Sequence, residues 1–313
     1  MTDDLKQKIA TACESYITEK GISRNELARI SGVNPAYISA IMSGEYNYKN
    51  SRTGVLSPIA DRWFTLLANA VGYKLQKEYW PFVKTQQFVE IIAELEDAKA
   101  CAYTRALIGE TGCGKTYTIE RFRAANPIGC YVVKCHKYYT LRDIVDKIMD
   151  AVGVSERGSI SKKLDRISIE LWRMHRLGQR PIIIFDEAEN LRLSAIQALK
   201  ALYDALKDGC AIILIGTGQL VKTLIRMRDL DKPGVPQFYR RIKAGIRNIT
   251  PCDPLFSAFL ESIEDKGLKK LLINTCDNYG ELSDYLTPVL READRVNQPL
   301  TESLFRIVNK LSI

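Results

Sequence analysis

Three short stretches of the chain carry residue types that suit one chemistry. Gly109-Glu110-Thr111-Gly112-Cys113-Gly114-Lys115-Thr116 fits the spacing GxxxxGK[ST]. Glycines in such a turn let successive backbone N–H groups point inward around phosphate oxygens. The positive end of a helix opening at Lys115 adds to the same field. Lys115 would reach the β- and γ-phosphates of ATP, and the Thr116 hydroxyl would bind Mg²⁺. The second stretch, residues 181–187 (PIIIFDE), ends an apolar run in two carboxylates. Asp186 is suited to hold Mg²⁺ through its water shell, and Glu187 to polarise a water for attack on the γ-phosphate. The third, Ala211–Ile215, runs into Gly216-Thr217-Gly218. Thr217 could hydrogen-bond the γ-phosphate or the attacking water.

Such groups need a rigid frame that holds several loops along one edge. From residue 103 onward, short apolar runs alternate with helical patterns. Strands are predicted at 103–108, 130–134, 181–185, 210–215 and 244–249, with helices near 115–125, 140–152, 160–177, 193–207 and 218–228. Continuously apolar strands, each followed by a helix, imply a parallel sheet covered on both faces. After Pro251 the pattern is helical only, at 254–264, 267–279, 281–296 and 301–311. The predicted class is α/β, a phosphate-loop parallel sheet with a C-terminal helical subdomain, preceded by a small all-α domain.

That first domain is read from spacing and caps. Leu5, Ile9, Ala12, Cys13, Tyr16 and Ile17 line one face of a helix over 4–20, which Gly21 ends. Ser23 caps a short helix over 24–30, with Glu26 placed for a capping box. Asn34 and Pro35 open another over 35–42. Gly32 supplies the sharp turn between them. Residues 45–57 read as a polar loop or wing, and 58–71 as a helix closed by Gly72. The predicted boundaries are 1–72, a linker at 73–85, an α/β region at 86–250 and a helical lid at 251–313.

At 46% apolar and 26% charged, the 313-residue chain has ordinary globular composition, not that of a collagen-like or disordered one. No stretch approaches the roughly 18 apolar residues of a membrane-spanning helix, so no membrane partner is expected. Met1–Leu5 has no basic start followed by an apolar run, which predicts a cytoplasmic location. The eight cysteines are spread along the chain and read as reduced thiols. Cys130, Cys135 and His136 form a metal-like cluster, but no second ligand pair follows it. The net charge of +8 is local: residues 222–247 hold eight Lys/Arg against two Asp/Glu, a net +6. A local basic surface suits a phosphate-bearing partner.

The phosphate loop, the strand ending in two carboxylates, the third strand with its polar end and the Arg240-Arg241 pair together resemble the AAA+ ATPases over residues 86–313. The resemblance implies that Phe238-Tyr239-Arg240-Arg241-Ile242 supplies an arginine finger to a neighbouring subunit, Arg241 first and Arg240 second. It also implies a sensor arginine in the lid. Gly280-Glu281-Leu282-Ser283 has the Gly and Leu of that motif but no Arg.

Residues 23–42 resemble the helix-turn-helix of phage repressors. Leu27, Ala28, Ile30, Val33, Ile38 and Ile41 would pack its core, while Asn34, Ala36, Tyr37 and Ser39 would face a DNA groove. The same unit also serves elsewhere as a protein-docking module. The second helix carries no Lys or Arg, which predicts weak duplex binding by this domain alone.

A helix-turn-helix followed by a lone AAA+ module is similar to the transposition target-selection ATPases. That resemblance implies a homo-oligomer, filament or ring, on double-stranded DNA that recruits a DDE transposase and dissociates on hydrolysis. Lys222, Arg226, Arg228 and Lys232 would then grip the phosphate backbone without reading bases. A helicase loader or replication initiator shares the same core. A helix-turn-helix regulator with a nucleotide switch also fits.

Overall fold

The computed structural model of the chain describes residues 1–49, 56–73 and 79–311. Two units, Met1–Glu78 and Tyr79–Ile313, each carry their own core.

The first unit packs α1 (Asp3–Lys20), α2 (Arg24–Ser31), α3 (Pro35–Met42) and α4 (Asp61–Val71). Ile9, Cys13, Leu27, Ile38, Ile41, Phe64 and Leu67 are fully buried at its centre. Ser23 Oγ accepts the Glu26 N–H at 3.1 Å, so the cap forms. The reciprocal half of the expected capping box does not, because the Glu26 carboxylate pairs with Arg29 at 2.6 Å one turn later. Gly32 sits at φ +67°, which lets α2 turn into α3 without the clash a Cβ brings. The predicted wing is a strand pair, with β1 (Asn47–Lys49) antiparallel to β2 (Leu56–Pro58). Residues 50–55 lie outside the described residues.

The second unit opens with α5 (Gln86–Cys101) and then alternates: β3 (Thr104–Ile108), α6 (Lys115–Ala125), β4 (Cys130–Lys134), α7 (Leu141–Val152), α8 (Ile160–Arg176), β5 (Ile182–Asp186), α9 (Leu193–Leu206), β6 (Ala211–Gly216), α10 (Gly218–Asp229), α11 (Val235–Ile242) and β7 (Ile246–Asn248). The sheet order is β4-β5-β6-β3-β7, and every pair is parallel. Ile182 and Ile184 of β5 face a core shared with α5 and α6, while Ile183 and Phe185 face one shared with α7, α9 and α11. Burial on both faces explains why these strands read as unbroken apolar runs.

Helix α11 was not anticipated. Its apolar residues Val235, Phe238, Tyr239 and Ile242 fall at helical spacing and are buried, but a Pro-Gly pair before them and basic residues between them mask the pattern. The lid comprises α12 (Ser257–Leu260), α13 (Lys266–Thr275), α14 (Tyr279–Val296) and α15 (Glu302–Val308). The helix expected over 254–264 shortens to α12. The Asp253 carboxylate accepts the Leu255 and Ser257 N–H groups at 3.0 and 2.7 Å and turns the chain there.

The stretch expected as a linker at 73–85 divides. Residues 74–78 lie outside the described residues. Residues 79–85 instead form a strap on the second unit. Trp80 stacks on Phe259 of the lid at 4.8 Å, and Phe82 packs edge-on against Phe88 of α5 at 5.1 Å. Among the described residues, no helix is long and apolar enough to cross a membrane.

Candidate functional site

A parallel sheet gathers the C-terminal ends of its strands along one edge, and three of those ends meet here. The Gly109 N–H, just past β3, donates to the Gly216 carbonyl at the end of β6 at 3.0 Å. The loop then turns through Gly112 at φ +75° and Gly114 at φ +88°, conformations that cost an L-residue about 1–2 kcal/mol. A side chain at Gly112 would also overlap the Asn278 side chain. Lys115 Nζ donates to the Gly109 and Glu110 carbonyls at 3.0 and 2.6 Å. The ammonium is therefore held inside the loop by weak acceptors that a phosphate can displace.

Thr116 Oγ1 donates to Asp186 Oδ2 at 2.8 Å, joining the loop to the end of β5. The other Asp186 oxygen accepts the Glu187 N–H at 2.9 Å. Glu187 stands at φ +53°, left-handed for a non-glycine residue, which turns its side chain out of the strand. Its carboxylate pairs with Lys134 at the end of β4 at 3.1 Å and accepts from Asn190 Nδ2 at 3.3 Å. The hydrogen bond to Glu187 raises the Lys134 ammonium above its usual pKa.

These groups line a cavity of about 430 Å³. Thr111, Gly112, Cys113, Gly114, Lys115, Thr116, Asp186, Glu187 and Thr217 all reach it, while Gly109 and Glu110 do not. Glu110 is instead tied to the lid approach, where Cys252 N–H donates to its carboxylate at 3.4 Å. Cys113 is 2% exposed, and burial pushes its thiol pKa up.

The donor set fits a magnesium nucleotide. It offers the backbone of a glycine-rich loop, an ammonium, a hydroxyl, a buried carboxylate and, at Glu189 Oε2, a buried oxygen without a hydrogen-bond partner among the described residues. Sequence reasoning missed the apolar end of the cavity, made by Trp80, Val83, Phe88, Phe259 and Tyr279. It also missed Lys134 and Glu189. The lid enters through Gly280, whose N–H donates to the Gly112 carbonyl at 3.1 Å, and through Ser283.

Residues 102–224 match the AAA domain family. The chain is 24% identical over 207 residues to the Mu-like prophage FluMu DNA transposition protein B of Haemophilus influenzae, covering 66% of this chain and 68% of that protein. It is 22% identical over 225 residues to the ATP-dependent target DNA activator B of Escherichia phage Mu, covering 71% and 66%. It thus spans about two thirds of the length of these curated relatives. Among solved structures, it resembles the Aeropyrum pernix ORC1 protein in complex with DNA (TM-score 0.52, 16% identity, 74% of this chain and 66% of that one). It also resembles Cdc6p from Pyrobaculum aerophilum (TM-score 0.54, 14% identity, 75% and 69%). The second unit has the fold of an AAA+ module. Its likeness is to the Mu B type.

Neither expected finger arginine reaches the module's own cavity. They sit on α11, and Arg241 lines a separate cavity at the opposite end of the strands, beside Thr104 and Ile212. Arg241 forms an ion pair with Asp204 and lies 5.0 Å over the Tyr203 ring. Burial alone would raise the Asp204 carboxyl, but hydrogen bonds from Arg241 and Lys200 outweigh it and hold the pKa below the usual range. Arg240 is exposed and unpaired among the described residues. Of the two, Arg241 is engaged within the unit and, among the described residues, Arg240 is not. Cys130 and Cys135, at the two ends of β4, are buried on opposite faces of the sheet and do not converge on a site.

The basic residues of the AAA+ module divide in the same way. Lys222 and Arg226 are exposed one turn apart on α10, and Lys232 is exposed beyond it. Arg228 is instead engaged locally, pairing with Asp229 at 2.6 Å and lying 4.9 Å over the Tyr239 ring.

In the first unit, Asn34 spends its side-chain oxygen capping α3, accepting the Ala36 N–H at 2.9 Å. Tyr37 does not simply face outward as expected. It is half-buried, edge-on to Tyr48 of the wing at 5.0 Å and tilted against Trp63 of α4 at 5.7 Å. Ser39 is exposed.

Proposed function

We propose that this chain is an ATP-hydrolysing protein that assembles as an oligomer on double-stranded DNA, marks it as a target for a DDE transposase and leaves when ATP is hydrolysed. Helix α10 carries this reading. It starts at the cavity, where Thr217 lines the wall, and presents Lys222 and Arg226 to solvent within its next two turns. Nucleotide state and a backbone-gripping surface thereby share one rigid element. The likeness to a DNA transposition protein B and to an ATP-dependent target DNA activator B supports the same reading.

In this proposal Lys115 leaves the loop carbonyls for the β- and γ-phosphates. Thr116 and Asp186 would hold Mg²⁺, which supplies positive charge against the phosphate oxygens when bound. Glu187 takes a proton from the attacking water, a role open to it once Lys134 and Asn190 give way. Trp80, Val83 and Phe259 enclose the base. Arg240, or Arg241 after release from Asp204, reaches a neighbouring subunit's γ-phosphate, which makes hydrolysis depend on assembly. The helix-turn-helix unit adds a weak second contact to DNA.

Imaging of the purified protein with duplex DNA and a non-hydrolysable ATP analogue tests the reading. Filaments or rings are expected with both present and not with ADP. A protein that stays single under every condition refutes it.

A further inference from the structure

The cavity holds two polar groups with complementary, unmet needs. Glu189 Oε2 is buried and has no hydrogen-bond partner among the described residues. The Thr217 hydroxyl does not cap α10 and makes no hydrogen bond among the described residues. Both side chains line the nucleotide cavity. Glu189 Oε2 lies against Gly216, the residue before Thr217, where an added Cβ would overlap it. The carboxylate therefore lies against the backbone immediately before Thr217, and glycine at 216 keeps that space open.

The alternative partners are spoken for. Asp186 takes Thr116 and the Glu187 N–H. Glu187 takes Lys134 and Asn190. Lys115 rests on the loop carbonyls. A carboxylate only accepts hydrogen bonds, whereas a hydroxyl offers one donor and two lone pairs.

We propose that Glu189 is a positioning residue that accepts the Thr217 hydroxyl hydrogen, so that Thr217 presents its lone pairs to the attacking water and not its O–H to the γ-phosphate. The proposal rests on the ATPase reading above and fixes a polarity that the sequence leaves open. Side-chain rotation is the movement the pairing requires, because Oε2 already touches the Gly216 backbone. One O–H of the water then donates to Thr217 Oγ1, and the other faces Glu187. As the water oxygen bonds to the γ-phosphorus, Glu187 takes that second proton. The electron pair of the breaking P–O bond leaves on the β-phosphate oxygen of ADP.

A double-mutant cycle on the full chain tests this, with single-turnover hydrolysis and the Kd values of fluorescent ATP and ADP analogues as readouts. Glu189→Ala and Thr217→Val should each slow hydrolysis by roughly 10- to 100-fold, with both Kd values within about threefold of wild type. The double variant should be no slower than the worse single one, because the two groups act as a unit. Thr217→Ser, which keeps the hydroxyl, and Glu189→Gln, which keeps an acceptor oxygen, should rescue hydrolysis.

Multiplicative losses in the double variant overturn the pairing. So does a selective loss of ATP over ADP binding in Thr217→Val, the mark of a hydroxyl donating to the γ-phosphate. A Glu189→Gln protein as slow as Glu189→Ala also overturns it, since charge and not acceptance would then matter. If Glu189→Ala does not fold, the Gln, Ser and Val variants decide. Wild-type protein that fails to bind or hydrolyse ATP would instead refute the ATPase reading.

Discussion

The cavity of the second unit and the packed helices of the first use similar side chains in opposite ways. In the cavity, polar groups from separate elements hold one another by bonds a ligand can take over. Lys115 sits on two carbonyls, and Thr116 on Asp186. In the first unit, two of the residues at the expected reading surface serve the fold itself. Asn34 caps its own helix, and Tyr37 is wedged between Tyr48 and Trp63. A site built to exchange partners is recognisable as a ligand site. A side chain held by contacts within its own unit shows no such readiness to exchange partners.

That contrast can be broken, beginning where the effect should be greatest. Lys115→Ala removes the charge that replaces the loop carbonyls with phosphate, so affinity for a fluorescent ATP analogue should fall at least about 100-fold. DNA-bound assemblies should vanish with it, and filaments that survive the change would argue that the loop is structural. Next, Glu187→Gln should cut turnover by about 10²–10⁴-fold with ATP still bound, visible as slow dissociation from DNA. Normal turnover would remove Glu187 from the chemistry.

Lys222→Ala with Arg226→Ala should weaken binding to all duplex sequences alike and lower the salt slope by about 2, one for each lost cation. An unchanged slope would place the DNA surface elsewhere. Smallest of all, Asn34→Ala should cost the first unit about 1 kcal/mol in thermal unfolding and leave ATP turnover unaltered. A large loss of DNA affinity with no loss of stability would show that Asn34 is a reader after all.

The strands and the phosphate loop were legible because each is dictated locally. Residues buried on both faces must be apolar, and a loop around phosphate must be glycine-rich. Thr116 and Asp186 were singled out by residue type, and the hydrogen bond between them is set by the fold.

What escaped was set by tertiary contact or masked by punctuation. Trp80 and Pro81 look like a spacer until Phe259 arrives from the lid to stack on the indole. Lys134 ends a strand like any surface lysine, and only the order β4-β5 brings it to Glu187. The α11 periodicity was present in Val235, Phe238, Tyr239 and Ile242, but glycine, proline and arginine obscured it. The ion pair of Arg241 depends on Asp204, an acid on α9 that sequence spacing cannot relate to α11. Glu26 satisfied the capping-box pattern and was diverted by Arg29, a competitor one turn away.

The bond from the Gly280 N–H to the Gly112 carbonyl, with Asn278 packed on the same glycine, joins the first turn of α14 to the phosphate loop. The loop and the lid are thus one latch. Swinging α14 outward must pull on the backbone of that loop, so opening of the lid and the shape of the loop are coupled.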